Sequence, residues 1–365
     1  MKHCSGCGVA LQTEDEQKPG FVPAGVLDKE HVICQRCHRL KHYDDMLPVE
    51  LDDDDFLRVL HEIGERRGFI VHIVDLFDLG GSWISGLQRF VNHQPILLVA
   101  NKIDLFPQSM HWHKIKQRLH MFCRDMGLKP VDILLCSAEK GLGIERVMKA
   151  MEIHRQGKDV YVVGTTNAGK STLINQILKK FHVHEKEWLT TSRLPGTTLD
   201  FIDIPLKDGS HLFDTPGVIN RRQIAYYVAE EEWKVIFPKK RVKPRVYQLD
   251  ARQTLFLGGL ARVDFISGER QSFVCYLSNL LKVHRTKLEK ADDLYAEHAG
   301  ELLSPPAKAN MADWPEMKKH TFKISAEPTD IVFAGLGWVS VKGAGAVVES
   351  YAPAGVDVSV RPSLI

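Results

Sequence analysis

A doubly wound α/β sheet built around a phosphate-binding loop, followed by a mostly β domain, is the architecture this sequence predicts. Three observations point to it. Residues 164–171, Gly-Thr-Thr-Asn-Ala-Gly-Lys-Ser, fit the pattern G-x-x-x-x-G-K-[ST]. They lie between an apolar, β-branched run (159–163) and a stretch with helical spacing (172–178), the strand, loop and helix context that the pattern requires. From residue 68 onward apolar strands alternate with helical segments, and beyond residue 237 that alternation gives way to short strands separated by glycine turns.

Length and composition bound the rest. A chain of 365 residues holds about two or three domains, each able to bury a core. The formal net charge of +2 hides local asymmetry and says little about partners. The first twenty residues contain no apolar run of the kind a secretory signal needs, and no stretch approaches the length of a membrane span. The expectation is a soluble, cytoplasmic, monomeric protein that does not engage membranes. In a reducing compartment its seven cysteines are not expected to form disulfides.

The chain opens with Cys4-Ser5-Gly6-Cys7 and then Cys34-Gln35-Arg36-Cys37. Two CxxC pairs supply four thiolates, enough to close a tetrahedral site around a structural zinc ion over 1–48. A redox dithiol or plain core packing are the alternatives. Arg36, His38, Arg39, Lys41 and His42, with Tyr43 beside them, form either an RNA-contacting cluster or a solvated face. The acidic run 52–55 opens a helix over 56–64, where carboxylates suit the N-terminal dipole.

Strands are predicted over 69–75, 95–100 and 131–136, and helices over 84–91, 113–126 and 144–153. The second strand runs into Asn101-Lys102-Ile103-Asp104 and the third into Ser137-Ala138. Ligands of such sheets sit at the carboxyl ends of the strands, where both motifs fall. Asn101-Lys102-x-Asp104 resembles the guanine-specificity motif of GTPases, and Ser137-Ala138 resembles its companion loop. A carboxylate at 104 would accept from the ring N–H and exocyclic amino group of guanine, a donor pair that adenine does not present. The Ala138 N–H would serve the guanine carbonyl.

In the phosphate loop, Gly164 and Gly169 let the backbone turn so that consecutive N–H groups, including those at Asn167, Ala168 and Thr172, face the nucleotide phosphates. Lys170 would reach the β- and γ-phosphates, and Ser171 would hold Mg2+. Downstream, residues 192–200 resemble switch I, with Thr198 (Thr197 second) as magnesium-binding threonine. Residues 212–217 resemble the DxxG motif of switch II, with Asp214 on the metal through water and the Gly217 N–H sensing the γ-phosphate.

Ordinary GTPases run phosphate loop, switch I, switch II, NKxD, SA. Here NKxD and SA come first, so the GTPase domain (49–222) is circularly permuted, joined through 152–158. Switch II and its helix, about 223–237, therefore lead directly into the C-terminal region, 223–365.

The permuted order, the leading CxxC pairs and the long C-terminal extension together resemble the YqeH family of circularly permuted GTPases, over essentially the whole chain. The resemblance implies GTP and GDP as ligands, GTP hydrolysis with Mg2+, and binding to ribosomal RNA or a precursor of the small ribosomal subunit during its assembly. Val218 stands where Ras-like enzymes keep the glutamine that orients attacking water, so slow intrinsic turnover is expected. Asn167 resembles the asparagine that binds K+ in cation-dependent GTPases; simple loop stabilisation is the alternative.

The C-terminal region reads as a mostly β domain with a helical insertion over 280–303 and no catalytic constellation. Its basic linker, 239–245, lies beside strands carrying Tyr247, Phe256, Phe265 and Tyr276, a pattern compatible with RNA binding or with a solvated face. Cys123, Cys136 and Cys275 are expected in cores. A scaffold that senses GTP and GDP with negligible turnover is the competing reading of the whole.

Overall fold

The computed structural model of the protein describes residues 2, 4, 10–15, 20–27, 32, 34–35, 53–180, 190–193, 200–206, 208–215, 217, 220–343 and 345–365. The chain divides into two compact units, one made of Met1–Leu76, Ser82–Ile103 and Lys116–Ile219, the other of Phe77–Gly81, Asp104–Ile115 and Asn220–Ile365. Among the described residues no helix is long and apolar enough to cross a membrane.

The first unit is organised by β1 (Phe69–Asp75), whose seven residues are all buried. A near-continuous apolar run of this kind, broken only by His72 before the closing Asp75, belongs inside a parallel sheet covered on both faces. The sheet contains β2 (Ile96–Asn101), β3 (Asp132–Leu135), β4 (Val160–Val163), β5 (Thr190–Arg193), β6 (Asp200–Pro205) and β7 (His211–Asp214), in the order β3-β2-β1-β4-β7-β6-β5. From β3 to β7 all neighbours are parallel, and β6 and β5 continue antiparallel. Because the first five strands are parallel, Asp75, Asn101, Gly164, Ser137 and Asp214 all emerge at one edge.

The helices are α1 (Asp53–Glu65), α2 (Leu87–Phe90), α3 (Trp112–Asp125), α4 (Ile144–Arg155) and α5 (Lys170–Lys180). On one sheet face Phe69, Val71 and Ile73 pack with Ile144 and Val147 of α4 and Leu173 and Ile177 of α5. On the other, the His72 ring lies 5.2 Å from Trp83, which meets Phe122 of α3 edge-on. Neither ring nitrogen of His72 has a hydrogen-bond partner, and burial pushes its pKa down to about 3.

Two sequence expectations shift here. The helix over 84–91 contracts to α2, because left-handed backbone at Gly86 before it, and at Asn92 and His93 after it, closes both ends. The permutation joint is also shorter than 152–158, since α4 continues to Arg155 and only the left-handed pair Gln156 and Gly157 makes the turn toward β4. Arg155 is buried there, donating to Ser210 Oγ at 2.6 Å and pairing with Asp208 at 2.8 Å. One guanidinium thus fastens the joint to the turn between β6 and β7.

The second unit packs two five-stranded antiparallel sheets face to face. Its strands are β8 (Arg245–Leu249), β9 (Gln253–Leu257), β10 (Ala261–Ser267), β11 (Gln271–Leu277), β12 (Val283–Lys287), β13 (Met317–Lys323), β14 (Thr329–Phe333), β15 (Gly337–Val341), β16 (Val347–Pro353) and β17 (Val358–Pro362). The sheet orders are β12-β9-β10-β16-β13 and β17-β14-β15-β11-β8. Leu255, Val263 and Phe265 from one meet Phe273, Ile331 and Val339 from the other in a shared core.

The insertion expected to be helical over 280–303 is only partly so. Its first part becomes β12, which completes a ladder along β9; a 3₁₀ turn (Leu288–Lys290) follows, and α7 (Ala291–His298) is α-helical, laying Tyr295 against Phe256. The continuous helix expected over 223–237 is likewise broken into a 3₁₀ turn (Ile224–Tyr226) and α6 (Glu230–Ile236). The Ile224 N–H donates to Ala334 O at 2.9 Å, so this backbone bonds across to the β14–β15 turn rather than along its own axis. Gln223 Nε2 donates to Asp78 Oδ2, and Asn220 Nδ2 to Gly81 O, each at 2.7 Å.

The expected RNA-facing aromatics are mostly interior. Phe256 and Phe265 are fully buried, Tyr276 stacks beneath Trp338, and only Tyr247 keeps part of its surface. The alternation of β9 and β10 sends Phe256 under α7 and Phe265 into the core, which composition alone does not distinguish. Residues 239–245 are held in place: Asn279 accepts from Lys243 N and donates to Arg241 O, both at 2.9 Å, leaving Lys239, Lys240, Arg241 and Lys243 exposed. Cys123, Cys136 and Cys275 are buried in cores, as expected.

Candidate nucleotide site

The phosphate loop leaves β4 through Gly164, where a Cβ would stand 2.6 Å from Ile73 O, and no larger residue fits without moving β1. It re-enters regular structure at Lys170, the first residue of α5, so the loop's backbone N–H groups and the helix N-terminus gather at the carboxyl edge of the sheet. Ser171 and Thr172 lie in that first turn. Gly169 adopts φ +91°, and a Cβ on it would lie within van der Waals overlap of Asn101 Nδ2. Asn167 is left-handed and exposed. Lys170 is buried; its Nζ donates to Gly164 O at 3.1 Å and Thr165 O at 3.4 Å. Burial pushes the lysine pKa below its ordinary value, and the charge of Asp214 opposes that shift.

Asn101, the last residue of β2, ties the loops together. Its Nδ2 donates to Ala168 O of the phosphate loop at 3.0 Å, and its Oδ1 accepts from Ala138 N at 2.9 Å. The Ala138 N–H, expected on the guanine carbonyl, is therefore engaged by Asn101, whose buried amide oxygen requires a donor. Ser137 turns inward and accepts from Lys140 N at 3.1 Å, shaping its loop. Lys102 is left-handed, and its Nζ meets Asp75 Oδ2 at 2.8 Å. Asp104 lies in the 3₁₀ turn Ile103–Leu105, and its Oδ1 is buried with no hydrogen-bond partner. A buried, unmatched carboxylate oxygen is what a guanine donor pair would complete.

On the other side of β4, Asp214 ends β7, buried. Thr215 donates to Val162 O through both its N–H (3.2 Å) and Oγ1 (2.8 Å), pinning the DxxG turn to β4. Gly217 then passes so close to the loop that a Cβ would be 2.8 Å from Lys170 Nζ and 3.2 Å from Thr166 N. Ser171 and Asp214 offer hard oxygen donors suited to Mg2+. Thr198, Thr197, Pro216 and Val218 lie outside the described residues.

At the N-terminus, Cys4 and Cys34 are buried together, with Cys34 N donating to Cys4 Sγ at 3.1 Å. Cys7 and Cys37 lie outside the described residues, as do Arg36, His38, Arg39, Lys41, His42 and Tyr43. Among the described residues no group of three or more His, Cys, Asp or Glu side chains could hold a metal ion.

Sequence reasoning missed Asp75, Thr166 and Thr215. Asp75 carried a signal, since it closes β1 at the same edge where Asn101 closes β2; the two threonines carried none, because hydroxyls in loops are common.

Residues 159–253 match a family model described as 50S ribosome-binding GTPase, and residues 270–364 one described as YqeH-like, C-terminal. The chain is 56% identical over 362 residues to the YqeH protein of Bacillus subtilis (strain 168), covering 99% of both chains. It is 26% identical over 521 residues to Nitric oxide-associated protein 1 of Homo sapiens, covering 100% of this chain and 75% of that one. With NO-associated protein 1, chloroplastic/mitochondrial, of Arabidopsis thaliana it shares 28% identity over 388 residues, 93% of this chain and 69% of the relative.

Proposed function

This chain belongs to the YqeH family of circularly permuted GTPases, and from that premise we propose that it is a slow GTP-hydrolysing switch acting in assembly of the small ribosomal subunit, bound to ribosomal RNA or a precursor subunit. The observation that carries nucleotide binding is the Asn101 side chain, which joins the NKxD strand end, the SA loop and the phosphate loop. In this reading Asp104 selects guanine, the stem of Lys102 lies along the base while Asp75 holds its ammonium, and the backbone of 167–172 receives the phosphates.

Ser171, Thr198 and Asp214 would hold Mg2+, which when bound would supply positive charge to offset the negative charge developing on the phosphates. Lys170 exchanges its carbonyl partners, Gly164 O and Thr165 O, for phosphoryl oxygens, and the Gly217 N–H marks whether a γ-phosphate is present. Only Val218 and Ile219 separate Gly217 from Asn220, the first residue of the β-rich unit's main segment, so the nucleotide state has a short covalent route to that unit. The zinc module (1–48, through Cys4, Cys7, Cys34 and Cys37), the exposed Lys239, Lys240, Arg241 and Lys243, and Tyr247 are the RNA-facing candidates. A K+ ion at Asn167 would supply positive charge where an arginine finger would.

GTP hydrolysis measured alone, with small subunits and with large subunits, in K+ and in Na+ buffers, tests this. Stimulation by small subunits is expected. Stimulation by large subunits alone would redirect the partner, as the 50S description of the matched family model invites. Equal rates in both salts would remove the potassium site. The absence of a water-orienting glutamine supports a second reading, a nucleotide-sensing RNA scaffold, for which no subunit raises turnover.

A further inference from the structure

With valine following the DxxG glycine, the group that holds the attacking water must come from elsewhere. Thr166, in the middle of the phosphate loop, has its Oγ1 buried with no hydrogen-bond partner. Its position is defined by Gly217: a Cβ built there would lie 3.2 Å from Thr166 Oγ1, 3.2 Å from Thr166 N and 2.8 Å from Lys170 Nζ. The lysine ammonium, the DxxG backbone and a threonine hydroxyl thus meet at one point. In a phosphate loop the lysine marks the β- and γ-phosphates, so the hydroxyl lies at the terminal-phosphate end of the site. Leaving a hydroxyl buried and unmatched is unfavourable, because the group has given up its hydrogen bonds to water and gained none in return. That cost is recovered when a ligand brings both a donor and an acceptor to it.

We propose that Thr166 Oγ1 is a catalytic group of GTP hydrolysis in this protein, accepting a hydrogen bond from the attacking water and donating its own to a γ-phosphoryl oxygen. The water oxygen forms the new bond to the γ-phosphorus while the bond from that phosphorus to the bridging oxygen of GDP breaks. The water's proton passes to a γ-phosphoryl oxygen and leaves with inorganic phosphate. The threonine is unchanged at the end. The proposal rests on the GTPase reading above and assigns to one hydroxyl the positioning that reading leaves open.

The test uses the full chain with Thr166→Val, Thr166→Ala and Thr166→Ser, reading kcat and KM for GTP and the Kd for GDP. Removing the hydroxyl is expected to lower kcat by about 100- to 1,000-fold, the scale of losing one group that stabilises the transition state. The GDP Kd should stay within about twofold, because GDP has no γ-phosphate to contact, and Thr166→Ser should keep most of the rate. Unchanged kcat in Thr166→Val and Thr166→Ala overturns the proposal, as does a loss of GDP affinity matching the loss of kcat, which would make the residue structural. Wild-type protein that binds GDP but never turns over GTP, alone or with subunits, overturns the GTPase reading and this proposal together.

Discussion

Asn101 Nδ2 donates to Ala168 O at 3.0 Å, joining a strand end to a loop 67 positions later in the chain, and the same amide accepts from Ala138 N through its oxygen. Replacing Asn101 with Ala leaves a buried N–H and a buried carbonyl unmatched, and both loops lose their common anchor. The expected cost to GDP affinity is about 2 kcal/mol, roughly 30-fold in Kd. Fluorescent-nucleotide titration reads it, and an affinity within twofold of wild type would separate this contact from nucleotide binding.

Gly169 faces the same amide. A methyl group there would overlap Asn101 Nδ2 while also occupying φ +91°. Gly169→Ala is expected to weaken GDP binding by about 5- to 150-fold while circular dichroism keeps the wild-type fold, since the strain of order 1–3 kcal/mol falls on the loop itself.

The unmatched oxygen of Asp104 leads to a change of base preference. Asp104→Asn is expected to weaken GTP by at least about 100-fold and to favour XTP, whose base carries a carbonyl where guanine carries its amino group. Competition binding with GTP, XTP and ATP decides, and retained guanine preference would contradict the assignment.

His72 makes the α/β unit acid-sensitive. Its folded pKa, lowered to about 3 by burial, lies below the ordinary 6.5, so the unfolded chain binds the proton first. Stability is therefore complete above pH 6.5 and falls as the pH drops toward 3, by about 2 kcal/mol at pH 5. Melting curves of wild type and His72→Leu between pH 7 and 5 should diverge, with wild type losing more. Parallel curves would show that some other group governs the acid response.

Arg155 holds the permutation joint. Arg155→Met keeps the stem but strips the Arg155 hydrogen bond from Ser210 Oγ and the ion-pair partner from Asp208 and Glu152; bonds from Ser210 and Arg155 hold the Asp208 pKa well below the usual carboxylate range. A loss of about 1–3 kcal/mol is expected in urea unfolding. No change in the midpoint would mean that the joint needs no fastening.

Much of this protein follows from the sequence alone. The run 69–75 became β1 with no change of boundary, because five apolar, mostly β-branched residues interrupted only by His72 before the closing Asp75 are best accommodated in a buried parallel strand. The phosphate loop, the NKxD and SA motifs and their inverted order were likewise legible, since each depends on residue types at fixed local spacing. Tertiary structure alone decided which polar groups meet. It gave the Ala138 N–H to Asn101, set Thr166 against Gly217, turned 283–287 into an edge strand along β9, and sent Phe256 and Phe265 inward. Those outcomes depend on partners distant along the chain, and a local pattern carries no information about which distant donor, glycine or strand will arrive to complete it.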